Sequence, residues 1–318
     1  MPSKMRRDKC SQNWTVTEKT NERCGYVAIV GRPNVGKSTL LNAFVGEKVS
    51  IVSAKAHTTR HRILGVLNHG MDQAIFVDTP GLQHDRKHAL HRLMAKTINQ
   101  AIADADVIVM VAEATKFSAR DRELAELLRE RSDDTILALN KVDLLADKSA
   151  LLPLLEQLGS DYSFTAFVPI SARKASNLGQ LLAEILSRLP AGPPLFPREM
   201  ITDRTQRFRI AEVIREKLLT AVHQEVPYGL TVEIEHIGRK DDDRALVHAL
   251  IWIERDSHKA IVIGKGGRVL KAIGRSARLE LKEMLGERVH LELWVKVREK
   301  WADSERELKR LGYDIDES

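Results

Sequence analysis

The sequence predicts two α/β units in series, a mostly parallel sheet with helices on both faces and then a smaller α+β unit. Three observations predict this. Short, continuous apolar runs alternate with amphipathic stretches from Gly25 onward. A glycine-rich stretch with phosphate-loop spacing, Gly31 to Ser38, lies between the first apolar run and the first amphipathic stretch. The proline-rich segment 190–197 then ends the alternation, and the order after it is α-β-β-α-α-β.

Residues 1–24 are polar and unpatterned, and disorder is expected for them. Strands are expected at 26–30, 75–78, 107–111, 136–139 and 167–170, because their apolar runs are continuous, as in strands covered on both faces. Amphipathic stretches at 37–45, 89–103, 121–131, 150–158 and 178–189 predict the intervening helices. These elements make a first domain over 25–189. Pro190, Pro193, Pro194, Pro197 and Gly192 make 190–204 a stiff linker. The second domain, 205–318, starts with a helix at 206–223, followed by strands at 231–237 and 245–254. A short helix at 258–263, the turn Gly264-Lys265-Gly266-Gly267, a helix at 268–285 and a strand at 289–297 come next. A charged tail helix at 304–311 ends it. No internal repeat and a single phosphate loop argue for one nucleotide domain.

Composition narrows the class. An apolar fraction of 43% argues against wholesale disorder, and runs such as Val107 to Ala112 are too short to span a bilayer. The basic start has no apolar core behind it, unlike a secretory signal. Cys10 and Cys24 are the two cysteines, outside any cysteine-rich frame, so a reducing, cytoplasmic location is expected. The net charge of +6 is mild, but it is unevenly spread. Lys259, Lys265, Arg268, Lys271, Arg275, Arg278 and Lys282 face one acid, Glu280, over 24 residues, a patch suited to a phosphate backbone.

The motifs carry the chemistry. Gly31-Arg32-Pro33-Asn34-Val35-Gly36-Lys37-Ser38 matches the phosphate-loop pattern, with Thr39 following in the helix. The glycines let successive N–H groups face phosphates, Lys37 reaches the outer phosphates, and Ser38 coordinates Mg²⁺. Asp78-Thr79-Pro80-Gly81 puts a carboxylate at a strand end, where a magnesium partner belongs, and a glycine N–H near a terminal phosphate. Thr58 and Thr59 lie in the polar loop between, with Thr59 favoured as the residue that closes over Mg²⁺. The expected metal set is therefore Ser38, Thr59 and Asp78, and the expected catalytic set Lys37, Asp78, Gly81 and Thr59. At the base, Asp143 can accept from guanine N1–H and the exocyclic amine, a donor pair that adenine lacks. Asn140 and Lys141 flank it, and Ser171-Ala172-Arg173 is expected to aim the Ala172 N–H at guanine O6. GTP or GDP with Mg²⁺ are the expected ligands. Asn34 either caps the phosphate loop or holds a monovalent cation such as K⁺ beside the phosphates. His84, His88 and His91 share one helical face, but no cysteine or buried carboxylate is expected to complete a metal set, so they read as an exposed helix.

In the second domain, the turn Gly264-Lys265-Gly266-Gly267 between helices allows close approach of a nucleic-acid backbone. Arg268, Lys271 and Arg275 extend the charge along the next helix. Within the α-β-β-α-α-β order this reads as a type II KH domain binding single-stranded RNA.

The chain resembles the bacterial Era-type GTPases. The likeness rests on Gly31 to Ser38, Thr58-Thr59-Arg60-His61-Arg62, Asp78 to Gly81, Asn140 to Asp143, Ser171 to Arg173, Arg215-Glu216-Lys217-Leu218, Val232-Glu233-Ile234-Glu235 and Ile261 to Gly267. It implies a P-loop GTPase domain followed by a type II KH domain. It also implies assembly of the small (30S) ribosomal subunit, binding near the 3′ end of its 16S rRNA, and peripheral membrane association; a monomer is expected. Leu82 stands where Ras-like switches carry a water-orienting glutamine, so slow intrinsic hydrolysis is expected.

Overall fold

The computed structural model describes residues 22–53, 55, 58–81, 88–222 and 229–313. The tail expected to be disordered lies outside the described residues up to position 21. Glu22 onward is described, and the first strand starts at Cys24, two residues earlier than the apolar pattern indicated.

The first unit is a six-stranded sheet in the order β2-β3-β1-β4-β5-β6. Its strands are β1 (Cys24–Val30), β2 (Ile63–His69), β3 (Asp72–Asp78), β4 (Val107–Glu113), β5 (Thr135–Asn140) and β6 (Ala166–Pro169). All pairings are parallel except β2 with β3. Helices α1 (Lys37–Val45) and α5 (Leu178–Arg188) cover one face, and α2 (Ala89–Asp104), α3 (Ala119–Leu127) and α4 (Leu151–Asp161) lie on the other. The alternating pleat makes this possible. Val27 and Ile29 pack with Leu40 of α1 and Leu181 of α5, while Ala28 and Val30 pack with Leu124 of α3 and Leu158 of α4. Both sets are buried, which is why these strands read as continuous apolar runs.

The antiparallel edge strand β2 is the element that the apolar pattern missed. It is joined to β3 by the two-residue turn Gly70-Met71, with Gly70 at φ +60°. The signal was the run Ile63 to Leu67 followed four residues later by Met71-Asp72, which was read as part of a polar loop.

The linker is docked rather than merely stiff. It runs along the edge of the sheet, and Gln73, 1% exposed, is its hub. Gln73 Oε1 accepts from the Leu195 and Phe196 N–H groups at 2.9 and 3.0 Å, and Nε2 donates to Phe196 O at 2.9 Å. Further on, the Val66 N–H donates to Ile201 O, so the linker also covers the open edge of β2.

The second unit has α6 (Gln206–Ala221), β7 (Leu230–Arg239), β8 (Ala245–Ile253), α7 (Asp256–Ile263), α8 (Arg268–Leu285) and β9 (Val289–Val297). The sheet order is β7-β8-β9, antiparallel and then parallel. Apolar residues of α6, α7 and α8, among them Ile214, Val262 and Ile273, form one core with Val247, Ile251 and Leu291. Ile51, from the first unit, is buried in that core. The tail helix α9 (Glu305–Arg310) turns back. Its Leu308, with Trp301 and Tyr313, packs on Leu90 and Met94 of α2. Among the described residues, no helix is long and apolar enough to cross a membrane.

Candidate nucleotide site and nucleic-acid interface

The phosphate loop leaves β1 and enters α1 with backbone angles that demand its glycines. Gly31 has φ +154°, and a Cβ there would lie 2.4 Å from Val111 O. Gly36 has φ +105°, and a Cβ would lie 2.3 Å from Asn140 Nδ2. Asn34 also sits at positive φ, +66°, which asparagine tolerates best among larger residues. Lys37 is 6% exposed, and its Nζ donates to the carbonyls of Gly31 and Arg32 at 2.9 and 3.0 Å. Burial pushes the Lys37 ammonium down to about 8, with Asp78 opposing the shift. A phosphate arriving here therefore meets a cation that is held ready but poorly solvated.

Ser38, Thr59 and Asp78 converge. Ser38 Oγ lies 3.0 Å from Thr59 Oγ1 and donates to Asp78 Oδ2 at 2.7 Å, and Thr59 Oγ1 lies 3.3 Å from the same Oδ2. Ser50 Oγ, which no motif marked, also donates to Asp78 Oδ2, at 2.8 Å. Asp78 is fully buried, and its Oδ1 has no hydrogen-bond partner among the described residues. Burial raises its pKa against the opposing pull of Lys37 and the three hydroxyls. These hard oxygens fit Mg²⁺: neighbouring ligands of an octahedral ion stand about 2.9 Å apart, given ligand distances near 2.0–2.1 Å. The orphaned Oδ1 is an acceptor that a cation would satisfy.

Arg32 behaves differently from the rest of the loop. Its side chain turns away from the cleft, with Nη2 donating to Glu113 Oε2 at 2.6 Å and Nε to Asp121 Oδ2 at 3.1 Å. Val35 and Thr79 are fully buried, and the Thr79 hydroxyl donates to Ile29 O at 2.8 Å. Pro80 is buried too, whereas Pro33, Thr39 and Gly81 line the cleft.

At the base end, Asn140 ties two motifs together. Its Nδ2 donates to Val35 O at 2.8 Å, and its Oδ1 accepts from the Ala172 N–H at 2.9 Å. The Ala172 N–H is thus engaged inward, not aimed at a base as the motif led us to expect. Lys141 Nζ donates to Asn34 O at 2.7 Å and pairs with Glu113. Glu113, closing β4 beside Asn140, is another residue that sequence reasoning missed. Burial alone would raise its pKa, but hydrogen bonds from Lys141 and Arg32 hold the carboxyl below its ordinary value. It thereby locks the phosphate loop to the base-recognition turn. Its one sequence signal is an acid ending a strand. Asp143 is exposed, and the hydroxyl of Ser171, donating to Oδ1 at 2.6 Å, keeps its carboxylate below the usual range. One cleft of about 550 Å³ reaches from Lys37, Ser38 and Thr59 to Asn140, Asp143 and Arg173.

Among the described residues, no group of three His, Cys, Asp or Glu side chains is placed to hold a metal ion. His88 Nδ1 contacts Asp303 Oδ1 at 2.8 Å, and its ring stands edge-on to His91 at 5.4 Å. His84 and Leu82 lie outside the described residues.

In the second unit, Gly264, Gly266 and Gly267 all have positive φ, so the turn between α7 and α8 requires glycine or a residue that tolerates that region. At Gly264 a Cβ would strike Val269 at 2.4 Å, whereas those at Gly266 and Gly267 would meet nothing within 4 Å. Lys265, Arg268, Lys271 and Arg275 are all exposed. Glu280, the acid within this run, is tied off by Lys48 and Lys217, which leaves the basic face electrostatically intact.

A family model described as a 50S ribosome-binding GTPase matches residues 26–141, and one described as a KH domain matches residues 225–302. The chain is 47% identical over 295 residues to the GTPase Era of Cronobacter sakazakii, covering 93% of this chain and 98% of the relative. It is 48% identical over 292 residues to that of Bordetella avium, covering 92% and 98%. It is similar to a solved Aquifex aeolicus Era variant bound to GDP and tetrafluoroaluminate. TM-score is 0.89 at 42% identity, covering 92% of this chain and all of that one. A solved complex of Era with MgGDPNP and nucleotides 1506–1542 of 16S ribosomal RNA matches with the same TM-score, identity and coverage.

Proposed function

The chain belongs to the Era family of GTPases, and we propose that it is a GTP-driven switch that binds single-stranded RNA near the 3′ end of the small-subunit rRNA and assists 30S assembly and 16S rRNA maturation. The observation that carries the reading is the single cleft with phosphate chemistry at one end and guanine chemistry at the other, on a chain that also exposes a glycine-rich basic turn. The complex of the related Era with 16S rRNA supports the choice of RNA. Nucleotide-dependent crosslinking of the full chain to 30S particles, followed by sequencing of the bound RNA, tests it. Crosslinks scattered over the rRNA with no enrichment at its 3′ end would overturn the reading.

In the reaction, Lys37 and the loop N–H groups neutralise the outer phosphates, and the N–H of Gly81, which lines the same cleft, would meet the terminal one. Ser38, Thr59 and Asp78 would hold Mg²⁺, whose chemistry there is Lewis-acid polarisation of the phosphate oxygens. Asn140, with Asp143, orients the base. The same reading places the protein in the cytoplasm as a monomer, and any membrane contact is peripheral.

Lys37 makes nucleotide affinity depend on pH. Burial brings its ammonium down to about 8, and a bound phosphate favours the charged form. The contribution is therefore complete below that value and declines above it. Affinity for GDP should fall about tenfold between pH 7 and 9; a flat profile in a fluorescence titration would refute the role.

A monovalent cation at Asn34 would supply the charge stabilisation that an arginine finger gives elsewhere. Turnover in potassium should then exceed that in sodium at equal ionic strength. Equal rates would leave Asn34 as a cap of the loop.

A further inference from the structure

We propose that Arg215, on the first helix of the RNA-binding unit, is a positioning residue for the nucleotide site: it holds the loop that brings Thr59 to the metal-binding oxygens. The inference rests on the reading of Ser38, Thr59 and Asp78 as the magnesium set.

The loop between α1 and β2 is anchored to the second unit on both sides of residues 53–57. On one side, Ile51 is buried in the core of that unit, and the Val52 N–H donates to Glu216 Oε1 at 2.9 Å. On the other side, Arg215 Nη2 donates to Thr58 O. Arg60 Nη1 then donates to Leu230 O at 2.8 Å. Arg215 and Glu216 are neighbours on α6, so one turn of one helix grips both ends of the loop. Thr59, between the two anchored residues Thr58 and Arg60, contacts Ser38 and Asp78.

Arginine is the residue this arrangement needs. Arg215 is 2% exposed, and its Nε and Nη2 each donate to Glu212 at 2.6 Å. The planar fork can satisfy Glu212 while still offering an N–H to the carbonyl of Thr58. Lysine keeps the charge but lacks the fork. Glu216 is itself fixed by Lys48 at 2.6 Å and by Lys217 at 2.9 Å, so the grip is rigid at both points.

The consequence lies in the metal requirement. Removing the grip frees Thr58 and lets Thr59 leave the oxygen cluster, while the phosphate loop and base pocket, on other elements, stay in place. In the full chain, Arg215→Gln should raise the Mg²⁺ concentration for half-maximal GTP hydrolysis about tenfold, the scale on which outer supports tune metal sites. GDP affinity should change little. Arg215→Lys should restore part of the loss. If Arg215 acts through Thr59, then Arg215→Gln in a Thr59→Ala background should add nothing. Should thermal melts show Arg215→Gln unfolded, Glu216→Ala, which removes the acceptor of the Val52 N–H at the more open end, should raise the same requirement. An unchanged requirement in a folded variant, or an effect that multiplies that of Thr59→Ala, would overturn the proposal. If Thr59→Ala itself leaves the requirement unchanged, the magnesium reading fails with it; a raised requirement there beside an unchanged one in Arg215→Gln refutes the inference alone.

Discussion

Asp143→Asn should turn the cleft from a GTP site into a xanthosine triphosphate site, with GTP affinity falling by about 10³-fold or more. The reason is donor and acceptor counting. The exposed Asp143 carboxylate, kept ionised by the Ser171 hydroxyl, offers two acceptors to the paired donors of guanine, N1–H and the exocyclic amine. An asparagine can accept only one of them and turns its own NH₂ against the other. Xanthine carries an oxygen in place of that amine, so the same NH₂ becomes a match. The Ser171 hydroxyl can still donate to the amide oxygen, so the turn should survive the change. Asn140 and Lys141, which bind the phosphate loop at Val35 and Asn34, are untouched. Competition of GTP and xanthosine triphosphate for a fluorescent nucleotide reads the result directly. Full retention of GTP affinity would mean that guanine is not read by Asp143.

Replacing both Lys265→Asp and Gly266→Asp should reduce RNA affinity by at least about a hundredfold and flatten its salt dependence. Two effects act together. The charge beside the RNA backbone is reversed, and a side chain stands where the backbone must approach closely. The site can take the change without unfolding. At Gly266 a Cβ meets open space, and its φ of +62° lies in the region that aspartate tolerates. Gly264 would be a poor choice, because its Cβ would collide with Val269. GTP binding should be nearly unchanged, since the cleft is lined wholly from the first unit. Measuring RNA affinity of the parent with GDP and with a non-hydrolysable GTP analogue tests coupling at the same time. Linkage requires that any factor by which GTP alters RNA affinity reappear as the factor by which RNA alters GTP affinity. Equal affinities in both states would make the two units merely tethered. Unchanged RNA binding by the double variant would remove the KH turn from the interface.

Residue spacing alone determined the parts of this protein whose geometry is local. The phosphate loop is legible because glycine positions, a lysine and a hydroxyl must follow one another within eight residues to wrap one phosphate chain. The strand ends carrying Asp78 and Asn140 are legible because buried parallel strands are unbroken apolar runs, and a polar residue that closes one stands out. The basic turn at 264–267 is legible in the same way, through its glycines and the helices that flank it. Tertiary structure alone decided what depends on residues far apart in the chain. Strand β2 was hidden because it opens from a polar loop and its outer edge is covered by a linker far along the chain, where the Val66 N–H donates to Ile201 O. Gln73 carries no motif, yet it anchors a linker more than 120 residues away, as its partner Leu195 shows. Glu113 looks like any surface acid until the fold sets Arg32 and Lys141 on either side of it. Arg215 was visible as part of a family-like stretch, but its contact with Thr58, 157 positions away, exists only once the second unit docks on the first. A buried guanidinium needs partners on every side, and which partners those are is settled by packing, which sequence spacing does not encode.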